Sequence, residues 1–139
     1  MDAKELSDHI GYCGLVCLLC HEAGKCGGCK SQKNTCARYL SQQGCYQYTC
    51  CTSRGLAGCW ECDEAPCDKD MFSEHHDIRN RTFIKVAKEE GIVKLAQYVL
   101  TNQHNGILYG WNKDYDNLGS AEAVTDLLHN GLNSKVWQK

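Results

Sequence analysis

The chain has 139 residues and a formal net charge of −2, a length that allows one domain or two very small ones. Twelve residues are cysteine and only 26 are Leu, Ile, Val or Phe, so the apolar content lies at the lower edge of what supports a hydrophobic core. A fold of this composition is expected to depend on covalent or metal cross-links.

Several classes of protein do not fit this sequence. No apolar run approaches the ~18–20 residues of a membrane-spanning helix, so we expect no membrane association. Residues 1–10 are polar and acidic and lack the apolar segment of a secretory signal, so we expect a cytoplasmic protein whose thiols stay reduced. The balance of 15 basic and 17 acidic residues gives no electrostatic case for a nucleic-acid partner.

The first predicted region is cysteine-rich and spans residues 10–68. All twelve cysteines lie between Cys13 and Cys67. The many Gly, Ser, Gln and Asn residues predict loops, zinc-knuckle turns and one or two helical turns. Three pairs have the C-x-x-C spacing, which lets both sulfurs of a tight turn reach one ion: Cys17/Cys20, Cys26/Cys29 and Cys59/Cys62. Gly27, Gly28 and Gly58 would allow left-handed dihedral angles and close backbone approach in such turns.

Repeated C-x-x-C pairs in a reduced chain indicate metal binding rather than disulfides or free buried thiols. Thiol redox catalysis is disfavoured because no βαβ pattern surrounds these pairs. Tetrahedral sulfur sites suit zinc and also iron–sulfur clusters, and both take four ligands, so the count does not distinguish them. The spacing of Cys13, Cys17 and Cys20 is that of the radical-SAM cluster motif, but the chain is too short for the barrel of that enzyme class. We expect two or three zinc ions, with an iron–sulfur cluster as the alternative.

The grouping of the ligands cannot be derived from spacing alone. We expect interleaved sites, in which ligands from residues 13–29 and 45–67 share metals. Cys36 has no other cysteine within four residues. Cys51 is adjacent to Cys50, and two neighbouring sulfurs rarely ligate one ion. Cys36 and Cys51 are therefore expected not to bind metal. His21, His75 and His76 lie close to cysteines and could each replace a thiolate, although polar surface roles are the simpler interpretation.

The second predicted region, residues 69–139, is helical. One helix is expected from an N-cap at Ser73 to Gly91. The next has apolar residues at 92, 95, 96, 99 and 100, the spacing of one helix face, and ends at Gly106. A short extended piece at residues 107–109 follows, and Ser120 caps a last helix that ends at Gly131. The predicted fold is a small metal-stabilised α-rich protein, with the cysteine-rich half packed on the helical half as one compact unit.

The loop before the last helix contains two acidic residues, Asp114 and Asp116, and three aromatic residues, Tyr109, Trp111 and Tyr115. The loop lacks the oxygen ligands of a calcium-binding EF-hand at its fifth and twelfth positions, so the acidic residues are expected to cap the backbone locally. The aromatic residues are expected to pack between helices or to line a small binding groove.

The cysteine motifs resemble those of a family of cysteine-rich proteins, domain of unknown function 3795. The resemblance rests on C-G-x-x-C-x-x-C from Cys13, C-x-G-C from Cys26, C-x4-C from Cys45 and C-x-x-C-x4-C, with a proline before its last cysteine, from Cys59. Residues 79–85, 91–95 and 114–116 also fit a longer branch of the family. The resemblance implies a zinc-binding cytosolic protein without a known activity. The pattern falls on ten cysteines, which are the expected metal ligands: Cys13, Cys17, Cys20, Cys26, Cys29, Cys45, Cys50, Cys59, Cys62 and Cys67.

These observations predict a non-enzymatic module in which structural zinc ions support a surface that binds an unknown protein partner. An iron–sulfur protein that carries electrons or senses oxidants is the alternative, and a protein that lends or stores metal is a third hypothesis. No phosphate-binding loop, catalytic triad or nucleophile elbow is present, so the sequence identifies no catalytic residue.

Overall fold

The computed structural model describes residues 2–14, 16, 46–65, 67, 72, 78–109 and 113–137. This part of the chain is rich in helix, as the sequence predicts, and contains no β-strand, only an isolated antiparallel bridge between Ile10 and Val16. Two 3₁₀ turns lie at Cys59–Glu61 and Gly131–Asn133. The α-helices are α1 (Ala3–Asp8), α2 (Tyr46–Arg54), α3 (Ile78–Glu90), α4 (Ile92–His104) and α5 (Ala121–Asn130).

Helices α3 and α4 follow each other across a single glycine, as predicted. Gly91 has a φ of +98° and donates its N–H to Ala87 O at 2.8 Å, so it ends α3 in a conformation that favours glycine. The predicted apolar face of α4 is buried, with Leu95 and Val99 fully inaccessible to solvent. The predicted N-cap of α3, Ser73, lies outside the described residues, and the described helix begins at Ile78.

The last helix confirms its predicted boundaries. The hydroxyl of Ser120 accepts a hydrogen bond from Ala123 N at 3.1 Å, which satisfies one of the amide groups left unpaired at the start of α5. Gly131, with a φ of +54°, follows its last residue, and its N–H donates to Leu127 O. The apolar face of α5 is buried against α3 and α4.

Helices α1 and α2 were not predicted as elements. Asp2 caps α1, since its carboxylate accepts the N–H of Glu5 at 2.9 Å. Helix α2 has nine residues, more than the one or two turns expected in the cysteine-rich region. Its buried face contains Gln47 and Cys51, which are one helical turn apart. Neither residue has an aliphatic or aromatic side chain, so the hydrophobic periodicity of the sequence does not reveal this helix.

The main core is formed by α1, α3, α4 and α5, with α4 in contact with each of the other three. Tyr115 is fully buried and meets Phe83 edge to face, with ring centroids 5.4 Å apart. Tyr109 is also buried, so both tyrosines pack between helices and do not line a groove; Trp111 lies outside the described residues. None of the helices in the described ranges is long and apolar enough to cross a bilayer.

Two acidic residues hold the loop before α5. The Asp114 carboxylate accepts the N–H of Leu108 at 2.6 Å, which is the local backbone capping that the sequence predicts. Asp116 lies 3.3 Å from Arg79 Nε, and both side chains are almost fully buried. The Arg79 guanidinium also lies over the ring of Tyr109, with 4.9 Å between its central carbon and the ring centroid. This buried charge pair therefore joins the loop to α3.

Candidate metal centre

A second buried cluster lies beside the main core and is built around cysteine. Cys13, Cys51 and Cys59 are only 4%, 1% and 7% exposed, and they pack with Ala65, Phe72 and Ile84. Cys62 and Cys67 are half-buried against the same cluster. Since Ile84 belongs to α3, residues of the cysteine-rich region and of the helical region share one packed cluster. The predicted boundary at residues 68 and 69 itself lies outside the described residues and stays a prediction.

Backbone hydrogen bonds bring distant cysteines together in this cluster. The N–H of Cys59 donates to Tyr12 O at 2.8 Å, which places Cys59 beside Cys13 although 46 positions separate them. Gly14, with a φ of +87°, follows Cys13, and a Cβ on it would lie 3.0 Å from Ile84 Cδ1. A glycine is therefore needed for both the backbone conformation and the close approach of this segment to α3.

The turn that carries Cys59 and Cys62 has the tight form that the C-x-x-C spacing predicts. Residues Cys59–Glu61 form a 3₁₀ turn, and Cys62 N donates to Cys59 O at 2.9 Å. The prediction of a left-handed conformation at Gly58 is wrong, because its φ of −179° is ordinary extended backbone. Its small size is required instead, since a Cβ there would lie 2.1 Å from the Trp60 ring. Gly27 and Gly28 lie outside the described residues.

The sulfur atoms of Cys51 and Cys59 are 3.7 Å apart. Two thiolates on one tetrahedral zinc ion, each at ~2.3 Å from the metal, are separated by about 3.8 Å, the edge of the tetrahedron. The pair therefore has the spacing that one ion requires. Without metal the same distance corresponds to a weak thiol–thiol hydrogen bond, in which either sulfur can donate.

The surroundings of Cys59 favour its neutral thiol when no metal is bound. The hydrogen bond with Cys51 and then burial raise the pKa of the Cys59 thiol far above its ordinary value, and the nearby thiols of Cys51, Cys13 and Cys67 raise it further. A metal ion binds the thiolate form, so binding here must release protons. We call Cys13, Cys51, Cys59 and Cys67 the inner thiol group.

Two other cysteines, Cys50 and Cys62, meet at an arginine. Arg54 Nη1 lies 3.2 Å from Cys62 Sγ and 3.9 Å from Cys50 Sγ. The hydrogen bonds to the sulfurs of Cys50 and Cys62, together with the electrostatic attraction of these two groups, hold the pKa of Arg54 above its usual range. We call Cys50 and Cys62 the outer thiol group, since both are half-buried and Arg54 is exposed.

The neighbouring residues Cys50 and Cys51 therefore belong to different groups. Successive residues on an α-helix are rotated by about 100°, so adjacent side chains of α2 point in different directions. The prediction that Cys51 does not bind metal rests on the difficulty of two neighbouring sulfurs binding one ion, a difficulty that does not arise where the two side chains point to different groups. Placing residues 46–54 in a helix would have identified the signal, because Cys51 then shares a face with Gln47.

The structure describes half of the ten predicted ligands. Cys13, Cys59 and Cys67 lie in the inner group, and Cys50 and Cys62 lie in the outer group. None of the six described cysteines forms a disulfide. Within the described ranges, no three Cys, His, Asp or Glu side chains are close enough together to form a complete metal site. The remaining predictions fall outside the described residues: Cys17, Cys20, Cys26, Cys29, Cys36, Cys45, His21, His75 and His76.

Hydrogen bonds attach the cysteine-rich region to the main core. The buried Val16 N–H donates to the hydroxyl of Tyr109 at 3.0 Å, across 93 positions of sequence. The ammonium group of Lys88 on α3 donates to Ala65 O at 2.6 Å and to Asp63 O at 3.3 Å. The segments that carry the described cysteines are thus held against the helices by backbone contacts as well as by side-chain packing.

Comparison with known proteins confirms the family resemblance for the cysteine motifs from Cys26 to Cys67, whereas residues 79–85, 91–95 and 114–116 lie outside the match. The family described as "Protein of unknown function (DUF3795)" matches residues 21–71, a stretch that holds nine of the twelve cysteines. Cys13, Cys17 and Cys20 precede the matched stretch. No curated protein and no solved structure matches the chain.

Proposed function

We propose that the chain is a zinc-binding protein without catalytic activity, on the basis of its closely spaced cysteines and the sulfur pair of Cys51 and Cys59. Thiolate-bound zinc ions fold the cysteine-rich region and hold it against the helices. The resulting surface binds a protein partner. The ten cysteines of the family pattern supply most of the ligands, and two or three ions are bound per chain.

The observation that supports zinc most directly is the sulfur pair of Cys51 and Cys59. Its 3.7 Å separation suits two ligands of a single ion. In a four-iron cluster each iron takes one cysteine, so the sulfurs of its ligands stand further apart than the ligands of one ion. The spacing therefore favours zinc over a four-iron cluster.

The position of the inner thiol group supports a structural role. Cys13, Cys51 and Cys59 are buried with Phe72 and Ile84, so a metal held there would join the cysteine-rich region to α3. Zinc bound by four thiolates contributes on the order of 10 kcal/mol of apparent folding free energy, which can replace a small apolar core. The low content of large aliphatic residues is a reason to expect such a contribution.

The direct test is metal identity and stoichiometry in protein purified without oxygen. We expect a colourless protein with two or three equivalents of zinc by elemental analysis, and slow transfer of that zinc to a chelator. A brown protein with bound iron and broad visible absorption would support the iron–sulfur alternative instead. Fast and complete transfer to the chelator would support metal storage or delivery.

A second test separates a structural metal from one bound at the surface. Cys59→Ser removes a buried ligand, so we expect loss of zinc together with loss of cooperative unfolding by circular dichroism. Ser53→Ala is the matched control, because Ser53 is an exposed residue of α2 that hydrogen-bonds only to Cys50 O among the contacts described, at 2.9 Å. Retention of all zinc and of full stability by Cys59→Ser would contradict a structural site at this position.

A further inference from the structure

We propose that Cys51 and Cys59 form a modification site, at which a low-molecular-weight disulfide such as glutathione disulfide oxidises the two thiols to a reversible intramolecular disulfide. The inference goes beyond the proposed zinc function and does not depend on it, because it needs two described sulfurs and no ion. Metal ligation and the disulfide exclude each other on the same sulfurs, so oxidation takes place in molecules that hold no metal on this pair.

The two sulfurs of this pair are already in contact. Cys51 Sγ lies 3.7 Å from Cys59 Sγ, and both side chains are buried. The S–S bond of a disulfide is about 2.05 Å long, so bond formation shortens the separation by about 1.7 Å. Each side chain supplies part of this approach by rotation about its Cα–Cβ bond, and no third group is needed.

Backbone hydrogen bonds hold both members of the pair in place. Helix α2 ends before Gly55, whose φ is +69°, and the N–H of Leu56 donates to Cys51 O at 2.9 Å, so the chain reverses directly after the helix. Cys59 is fixed by its own N–H, which donates to Tyr12 O at 2.8 Å. Since the fold presents one sulfur to the other, the effective concentration of each thiol is high, and the intramolecular disulfide is favoured over mixed disulfides.

The oxidation proceeds by two exchange steps. Cys59, the more exposed of the two at 7% against 1%, attacks one sulfur of glutathione disulfide; a mixed disulfide forms and one glutathione leaves as a thiol. Cys51 then attacks the Cys59 sulfur, the mixed disulfide breaks and the second glutathione leaves. Two electrons and two protons pass from the protein thiols to the two glutathione molecules. Burial makes the first step slow, so exchange requires local opening of the cluster and reaches equilibrium over hours.

The experiment equilibrates the full-length protein in buffers of glutathione and glutathione disulfide, both as isolated and after removal of metal with a chelator. The remaining thiols are alkylated, and trypsin then cuts after Arg54, so Cys51 and Cys59 fall in separate peptides that a disulfide holds together. Fragmentation in the mass spectrometer identifies the linked cysteines. Among crosslinks between described cysteines, the Cys51–Cys59 crosslink is expected to be the most abundant and to persist in the most reducing buffer.

Two variants provide a matched comparison. Cys51→Ser should lose the crosslink, whereas Cys50→Ser should keep it at the same ratio of glutathione to glutathione disulfide. Cys50 is the adjacent residue of α2, but its sulfur lies 3.9 Å from Arg54 Nη1 in the outer thiol group. The wild-type map is decisive without either variant, so a variant that fails to fold does not prevent the test.

Two outcomes would overturn the assignment. The first is absence of the Cys51–Cys59 crosslink from both the isolated and the chelator-treated protein. The second is a larger yield of a crosslink from Cys59 to Cys13 or Cys67, the other members of the inner thiol group. Absence of zinc from the isolated protein would instead refute the proposed zinc function and leave this test unchanged, so the two failures are distinguishable.

Discussion

The hydroxyl of Tyr109 links the cysteine-rich region to the helical core, and its removal by Tyr109→Phe should destabilise the protein. The hydroxyl accepts a hydrogen bond from the N–H of Val16, whose side chain is fully buried. The ring remains in the variant, so its packing against Phe83, with centroids 5.8 Å apart, is preserved. The change therefore removes the acceptor and leaves an amide group unsatisfied in the interior, which costs about 1–3 kcal/mol.

The assay is urea denaturation of the purified protein followed by circular dichroism. Tyr98→Phe is the matched control, since Tyr98 donates to Glu90 at 2.5 Å on an exposed surface and water can replace that bond. We expect the free energy of unfolding to fall by about 1–3 kcal/mol for Tyr109→Phe and by less than about 0.5 kcal/mol for Tyr98→Phe. Equal losses in the two variants would show that the Val16 contact does not join the two regions in the way described.

Three further predictions concern pH, backbone conformation and metal. Burial, with a contribution from nearby Asp114, raises the pKa of Tyr115 to about 12, whereas an unfolded tyrosine titrates near 10. The folded state therefore holds the Tyr115 proton more tightly than the unfolded state does. The resulting stabilisation is complete below pH ~10 and is lost as the pH rises toward 12. The difference in unfolding free energy between wild type and Tyr115→Phe should shrink over that range. Gly131→Ala should lower the free energy of unfolding by more than about 1 kcal/mol, because Gly131 has a φ of +54° and a Cβ there would lie 2.7 Å from Asn102 Oδ1. At Gly91 a Cβ would meet no atom within 4 Å, so Gly91→Ala should lose only the free energy of backbone strain. Melting temperatures of the two variants would show the difference. Chelator treatment should abolish the near-ultraviolet circular dichroism of the cysteine-rich region, and addition of zinc should restore it. Zinc binding should also release protons, which a pH indicator can count. A signal that is insensitive to the chelator would contradict a structural metal.

Some of the fold follows directly from residue patterns. Helix α4 could be predicted because Leu95, Ala96 and Val99 repeat at helical spacing and are all buried. Helix α5 could be predicted because a serine cap and a terminal glycine bound its apolar face. Such signals are local, and they depend only on the period of the helix and on the chemistry of its ends.

Helix α2 could not be predicted in the same way. Its buried positions are Gln47 and Cys51, and neither contributes to a hydrophobic period. The buried face of α2 is selected by the cysteine cluster that it joins. Cys13, Cys59 and Cys67 also belong to this cluster. This information is spread over more than fifty positions of sequence and becomes visible only when the segments meet.

The sequence by itself determined that the first half of the chain is rich in closely spaced cysteines and that the second half is helical, because spacing and periodicity are properties of neighbouring residues. Tertiary structure alone decided which sulfurs meet. Cys59 is paired by spacing with Cys62, yet its sulfur contacts Cys51, and Cys62 turns to Arg54. The physical reason is that the direction of a side chain depends on the helix or turn that carries it and on the backbone contacts that place those elements, such as Cys59 N to Tyr12 O.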